Sequence, residues 1–434
     1  MPVHSDRRTC LMTSSTAVAA TFASSSLLGG PNDRVSVGLI GCGGRGPNDA
    51  DNARENTNAA ITYCCDPDDE RRARAVEHFG VSESHSVRDM RVLLDDPAVD
   101  AVIIGTPDHW HSPAAILACE AGKHVYVEKP ISHNIREGRL LTEAAERNKV
   151  HVQHGTQSRS TQMMIEAVKA LREGIIGDVL VAKCWNIQRR GPLDPGENTD
   201  PPEGFDYDTW VGPATMIPYR TNRVHNRWTW WYHFGTGDMG NDGVHDIDYC
   251  RWGLGVETHP NQVHAPGGKF DVDDDKEFPD TQQVTFQYNG DGSVGSQRLM
   301  IYEQRLWSRN YPYNVDSGAE FYGKSGQMFL SRRGKIQVIG DDNKPVPLDI
   351  PRQPQDQVAH MKNFMAAIRE GAARKGPPLI GHLSTSLCHL GNIATRLGRA
   401  LNFDPATEKF IGDDEANALV GREYRDHWGR PKGA

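Results

Sequence analysis

The strongest constraint on the fold is a glycine-rich turn fed directly by a short apolar run. Val35-Ser36-Val37-Gly38-Leu39-Ile40 reads as a buried strand, and Gly41-Cys42-Gly43-Gly44-Arg45-Gly46 follows it with the complete spacing G-x-G-x-x-G. In that spacing the glycines permit a tight turn, let the backbone approach a pyrophosphate and allow close packing of helix on strand. The helix that follows ends near Asn56, and Ala59 to Cys65 forms a second strand closed by Asp66, twenty residues beyond Gly46. A carboxylate there accepts hydrogen bonds from the adenosine ribose and repels a 2′-phosphate, so the pattern predicts a site for NAD in preference to NADP. A glycine turn alone is a weak signal in a chain with 43 glycines. The ordered series of strand, turn, helix, strand and acid is specific.

The alternation continues. Ala101 to Ile104 is a buried run ending in Gly105-Thr106-Pro107, Ser112 to Ala121 reads as a helix, and His124 to Val127 is a strand leading into Glu128-Lys129-Pro130. In a doubly wound sheet, ligands lie outside the carboxyl ends of the strands, so Thr106, Pro107, Glu128 and Lys129 are expected at the cofactor crevice. Pro130 biases Lys129 towards extended backbone and helps end the strand there. A helix from Ile135 to Lys149 and a strand from Val150 to His154 complete a parallel α/β unit over residues 34–155.

At 434 residues the chain exceeds what one core usually supports, which predicts a second domain over residues 156–405 and an arm over 406–434. Val179 to Gln188, Thr281 to Tyr288, Ser293 to Tyr302, Gly318 to Tyr322, Gln327 to Ser331 and Lys335 to Ile339 read as strands, most economically an antiparallel meander. Thr161 to Glu173 and His382 to Leu401 read as helices, and Gln188 to Ala214 as a long loop beside the crevice, functional or mobile. A net charge of -9 with only short Lys/Arg clusters disfavours nucleic acid as a partner. No stretch is long and apolar enough to span a membrane. The cysteines form no C-x-x-C pair, and the spacing of His225, His233 and His245 is not that of a metal-binding helix, so no metal is expected. Arg7-Arg8, Leu11 and the weakly apolar run to Gly30 look like a twin-arginine signal occupying residues 1–30, which implies a periplasmic protein; a disordered tail on a cytoplasmic one is the alternative.

The succession of the glycine turn, Asp66, Thr106-Pro107-Asp108-His109-Trp110-His111 and Glu128-Lys129-Pro130 resembles the Gfo/Idh/MocA family over residues 34–400. The resemblance implies an N-terminal Rossmann domain, a C-terminal α/β domain with an open, mostly antiparallel sheet, and an NAD-dependent oxidoreductase acting on a sugar or polyol. It implies a homo-oligomer, dimer or tetramer, built on that open sheet. Lys129 takes the place of the catalytic lysine, and Thr106, Pro107, His109 and Glu128 line the nicotinamide side. Gly237 to Asp248 resembles a helix carrying an aspartate and, four residues on, a histidine. His245 fits the histidine, but Asn241 stands where the aspartate is expected. An asparagine orients an imidazole without stabilising its charge, so either Asp238 or Asp242 substitutes, or Lys129 carries more of the proton traffic. Arg159, Trp230, Asp238 and Asp242 are expected to meet the sugar, although core packing explains the aromatics from Trp228 to Tyr232 equally well. Two rival functions stand beside the dehydrogenase: a glycoside hydrolase that oxidises and re-reduces its substrate on a retained NAD, and a non-catalytic NAD-binding sensor.

Overall fold

Apolar runs too short for helices become the parallel strands of the first sheet. In the computed structural model, which describes residues 34–425, they are β1 (Val35–Ile40), β2 (Ala59–Cys65), β3 (Ser86–Val87), β4 (Ala101–Ile104), β5 (His124–Val127) and β6 (Val152–His154). Their order is β3-β2-β1-β4-β5-β6, all parallel. The crossovers are α1 (Arg45–Asn56), α2 (Asp69–Phe79), α3 (Met90–Leu94), α4 (Asp108–Glu120) and α5 (Ile135–Asn148). Burial on both faces explains why β4 reads as an unbroken Ala-Val-Ile-Ile run. The order reverses at β1/β4, which places a ligand crevice at the carboxyl ends of those strands. The export signal expected over residues 1–30 lies outside the described residues, as does the end of the arm from 426 onward.

Helix α4 starts four residues earlier than the sequence reading, at Asp108 instead of Ser112. Pro107 stands at its N-cap, so Asp108 to His111 occupy the first turn, where an acid is favoured. Pro113 lies inside this helix and has no N–H to offer the His109 carbonyl. Arg422 supplies the donor instead, its Nη2 lying 2.7 Å from His109 O.

The second half contains α6 (Gln162–Arg172), β7 (Val179–Asn186), α7 (Tyr207–Val211), α8 (Val244–Leu254), β8 (Gln262–His264), β9 (Gly267–Gly268), β10 (Thr281–Tyr288), β11 (Arg298–Arg305), β12 (Ser317–Gly323), β13 (Gly326–Ser331), β14 (Lys335–Gly340), α9 (Gln357–Glu370), α10 (Pro378–Leu397), β15 (Leu401–Asp404), β16 (Lys409–Phe410) and α11 (Asp414–Asn417). The sheet order is β14-β13-β12-β7-β11-β10-β8-β15-β16, with β9 beside β10. The expected pure meander is corrected at one place: β7 and β11 are parallel. The reason is topological, because more than a hundred residues separate β7 from its neighbour and no hairpin forces an antiparallel return. The core packs α6, α8 and α10 on one sheet face, through residues such as Val244, Ile247, Met300, Tyr302 and Phe321.

The long segment after β7 is not a mobile loop. It holds an aromatic core of its own, with Phe205, Tyr207, Trp210, Tyr219, Trp230, Trp231 and Phe234 buried together. It is also fastened to the first sheet: Asp69 N donates to Gly204 O (3.0 Å) and Asp206 N donates to Pro67 O (3.0 Å). The C-terminal arm returns to α5, where Arg136 N donates to Val420 O (3.0 Å) and Glu137 accepts from Arg422 Nε and Tyr424 Oη, both at 2.8 Å.

Candidate functional site

A cavity of about 290 Å³ opens at the β1/β4 switch point. Its floor is the glycine turn. A Cβ on Gly41, whose φ is +93°, would stand 2.7 Å from the Gly105 backbone, and one on Gly46 would stand 2.1 Å from Gly41 O. Gly44 faces open space, while a Cβ on Gly43 would stand 2.5 Å from the flexible Arg71 guanidinium, so the turn is close-packed beneath and bordered above by a cation, which suits a pyrophosphate. Gly41, Gly43, Gly44 and Arg45 line the cavity; Gly46 packs below, and Cys42 turns its side chain inward towards Cys65 O, 3.6 Å away. At one end, Asp66 accepts hydrogen bonds from Cys42 N (2.7 Å) and Asp68 N (2.9 Å). Burial raises its pKa to about 6, against the pull of those two N–H groups. Thr106 Oγ1, at the opposite strand end, is buried without a partner among the described residues. These residues fit NAD: backbone for the phosphates, a carboxylate for the ribose, and an unpaired hydroxyl at the nicotinamide side. Asp66→Ala is expected to weaken NAD binding by about 1.5–3 kcal/mol, on the order of tenfold to a hundredfold in Kd, and to narrow the preference over NADP. Titration calorimetry with both cofactors measures this, and an unchanged Kd for NAD would remove Asp66 from the site.

Lys129 and Asn241 close the other end. Lys129 Nζ donates to the main-chain oxygen of Asn241 at 2.5 Å and to its Oδ1 at 3.2 Å. Glu128, lining the same cavity, accepts from Arg45 Nε (3.1 Å) and Gln157 Nε2 (2.8 Å). Although burial opposes ionisation, the Arg45 and Lys129 cations hold its pKa down to about 2. The ring of His111 ties the two crevice strands together, with Nδ1 2.6 Å from Pro130 O and Nε2 2.9 Å from Thr106 O.

The segment carrying Asn241 is a π-turn, Met239–Gly243, that runs into α8. Such turns are rare and concentrate at functional sites. Here it shifts Asn241 relative to His245, so the two do not follow the simple four-residue spacing of an α-helix. His245 is 7% exposed, has no partner for Nδ1 among the described residues, and does not line the cavity. Burial first, then the cations Arg332 and Lys129, push its pKa well down, so the ring is neutral. Neither aspartate is free to substitute for the missing carboxylate. Asp238 accepts from Arg190 (2.8 Å) and Asn186 (2.8 Å), while Asp242 is bound to Arg190 and to Arg332 (3.0 Å). Burial works against the Asp242 charge, yet Arg332, Lys129 and Arg190 hold its pKa far below the usual carboxylate range.

Three expected contacts are corrected. Arg159 is buried against Asp248, with hydrogen bonds of 2.8 and 3.0 Å, and lies away from the cavity. Trp230 belongs to the aromatic core, because a large ring flanked by Trp231 and Phe234 gains more by burial than at a wet wall; Trp228 lines the cavity instead. His109 points its Nε2 to Trp210 O (2.8 Å), and the helical start at Asp108 brings Trp110 and His111 to the cavity in its place. Sequence reasoning missed Arg71, Arg88, His225 and Asn226, all of which line the adenosine end. Two positive-φ residues in succession, His225 at 51° and Asn226 at 72°, mark a strained turn with no signature beyond the asparagine. His225 Nε2 lies 3.0 Å from Asp68 Oδ2, which fastens this turn over the crevice. The three histidines 225, 233 and 245 do not converge. Among the described residues His259, His382 and Glu408 do, but Arg139 is also bonded to the same Glu408 oxygen.

Known proteins are similar in sequence and in fold. Stretches of 195 and 161 residues are 37% and 35% identical to levoglucosan dehydrogenase of Pseudarthrobacter phenanthrenivorans and to glycosyl hydrolase family 109 protein 2 of Shewanella sp. (strain ANA-3). Those matches cover 45% and 34% of this chain and span 42% and 34% of those proteins, less than half of each. Over 345 residues, covering 78% of this chain and 87% of the relative, it is 26% identical to scyllo-inositol 2-dehydrogenase (NAD(+)) of Bacillus subtilis. The solved levoglucosan dehydrogenase complex with NADH superposes on 85% of the chain and 99% of that structure, with a TM-score of 0.66 at 19% identity. Since residues 35–156 match the oxidoreductase family's NAD-binding Rossmann model and residues 184–430 its C-terminal alpha/beta model, the chain belongs to the Gfo/Idh/MocA oxidoreductases.

Proposed function

We propose that this NAD-dependent oxidoreductase interconverts a hydroxyl and a carbonyl on a sugar or polyol, with Lys129 as the group that handles the proton. The observation carrying this reading is the placement of Lys129 Nζ on Asn241 at the end of a cavity whose far end is Asp66. Bound in that cavity, NAD supplies the two-electron acceptor or donor. Lys129 and Asn241 orient the carbinol, and the Lys129 amine moves its proton. Asp238 and Asp242 are paired with Arg190 and Arg332, so they hold the Asn241 turn in place. Aromatic carbon from Trp228 offers a face for the apolar side of a sugar ring.

His245 acts from behind as a positioning residue. Because its ring stays neutral as pH falls through the ordinary histidine range near 6.5, the pH profile of kcat/KM is expected to show no acid step there. A step near 6.5 that vanishes in His245→Gln would return the proton to the ring.

The turn of His225 and Asn226 and the Gly204–Asp206 contacts over Asp66 to Asp69 favour a cofactor that stays bound through turnover. That property is shared with the second reading, an NAD-using glycoside hydrolase. Purified protein assayed for copurified NAD, then incubated with sugars and with aryl glycosides, separates them: NADH accumulation supports the dehydrogenase, whereas aglycone release without NADH supports the hydrolase. Neither activity, with NAD bound, would overturn both in favour of a sensor. We also infer a homo-oligomer, since the sheet face away from the helices carries Leu299, Ile301 and Tyr322 beside the Lys183–Glu303 pair (2.7 Å). Export by the Arg7-Arg8 segment accords with the retained cofactor.

A further inference from the structure

A second cavity of about 200 Å³ lies behind the catalytic segment and shares no lining residue with the first. It sits between α10, the segment that follows Pro130 and the returning C-terminal arm, and the contact of Thr236 Oγ1 with Asp108 Oδ2 (2.6 Å) separates it from the cofactor. Its polar wall is rich in donors: Arg396, Arg422, His133, His389 and Asn392 contribute, and no aspartate or glutamate among the described residues lines it. Arg422 is neutralised by Glu137 at 2.7 Å. Arg396 is exposed, lies 4.4 Å over the ring of Tyr232, and is paired with no carboxylate among the described residues. Burial keeps His133 and His389 neutral, so the standing charge is that of Arg396. His133 Nε2 and Arg422 Nη1 are buried without a hydrogen-bond partner among the described residues. The remaining wall is apolar, with Tyr232 and Phe278 packed 4.4 Å apart.

A cavity with one uncompensated cation, unpaired nitrogens, no acid and an aromatic side is matched by an anion with an apolar body, because an unpaired buried donor is costly and a carboxylate satisfies several at once. Its volume, that of roughly six or seven waters, limits the body to one ring or a short chain. We propose that this cavity is a binding site for a small organic monocarboxylate, with its charge at Arg396 and its apolar body against Tyr232 and Phe278.

Benzoate and its neutral isostere benzamide test this on the full chain saturated with NAD, by titration calorimetry. Benzoate is expected to bind about tenfold or more tighter than benzamide, and Arg396→Gln, a change at an exposed position that keeps the fold, is expected to abolish that difference. Equal binding of the two probes, no binding of either, or benzoate binding unaltered by Arg396→Gln would overturn the site. Benzoate that binds only when NAD is omitted would place it in the cofactor cavity and overturn the proposal equally.

Discussion

Lys129→Met is expected to lower turnover by about a hundredfold to ten-thousandfold while leaving the Kd for NAD within about twofold, the range that loss of a positioned acid–base group covers. Methionine keeps the unbranched apolar stem of lysine, one atom shorter, but offers neither a proton nor a donor to Asn241. The binding determinants lie elsewhere, in the glycine turn and Asp66 at the far end of the cavity. The Asn241 turn is held by Arg190 and Arg332 through Asp238 and Asp242, so it keeps its place without the lysine. Single-turnover kinetics on NAD-loaded protein measures the chemical step directly. A variant retaining a third or more of the wild-type rate would show that the proton travels by another route.

Arg159→Met is expected to destabilise the fold by about 3–5 kcal/mol, the cost of stranding a buried charge. Its side chain is 6% exposed and that of Asp248 is 1% exposed, and their fork of two hydrogen bonds is supplemented by Ser384 Oγ donating to Asp248 at 2.6 Å and by the Trp252 ring, 4.9 Å from the guanidinium. The pair joins the chain after β6 to α8, so its loss loosens the support of the catalytic segment. Thermal unfolding should move down by roughly 2–4 °C for each kcal/mol. The double change Arg159→Met, Asp248→Leu should recover most of the loss, because both charges are then gone. Unchanged stability combined with a raised KM for the sugar would restore Arg159 to the substrate site, where the sequence reading placed it.

The contrast between these two residues shows what was legible. Lys129 stands at the end of an apolar strand, followed by a proline, in a series whose topology leaves a strand end one place to go. Arg159 sits in a short polar segment, and nothing local distinguishes an arginine facing a sugar from one facing a buried aspartate eighty-nine positions later. Trp230 and His109 failed for a related reason. Aromatic and imidazole side chains suit a core and a site equally, and the choice depends on which neighbours surround them. The start of α4 moved because Pro107 serves as an N-cap, a boundary detail that periodicity does not resolve. Asn241 stood out by its type, yet the pairing of its neighbours depended on Arg190 and Arg332, which come from distant strands and loops.

By itself, the order of residues determined the parallel sheet, its switch point, the glycine cradle, Asp66 and Lys129, because each follows from backbone sterics and hydrophobic period over a few residues. Tertiary structure alone decided that β7 runs parallel to β11, that the aromatic segment folds over the adenosine end, and that both aspartates beside Asn241 are already paired. Those outcomes rest on contacts between residues far apart in the chain, where burial and charge pairing are set by the assembled surroundings and leave no local trace.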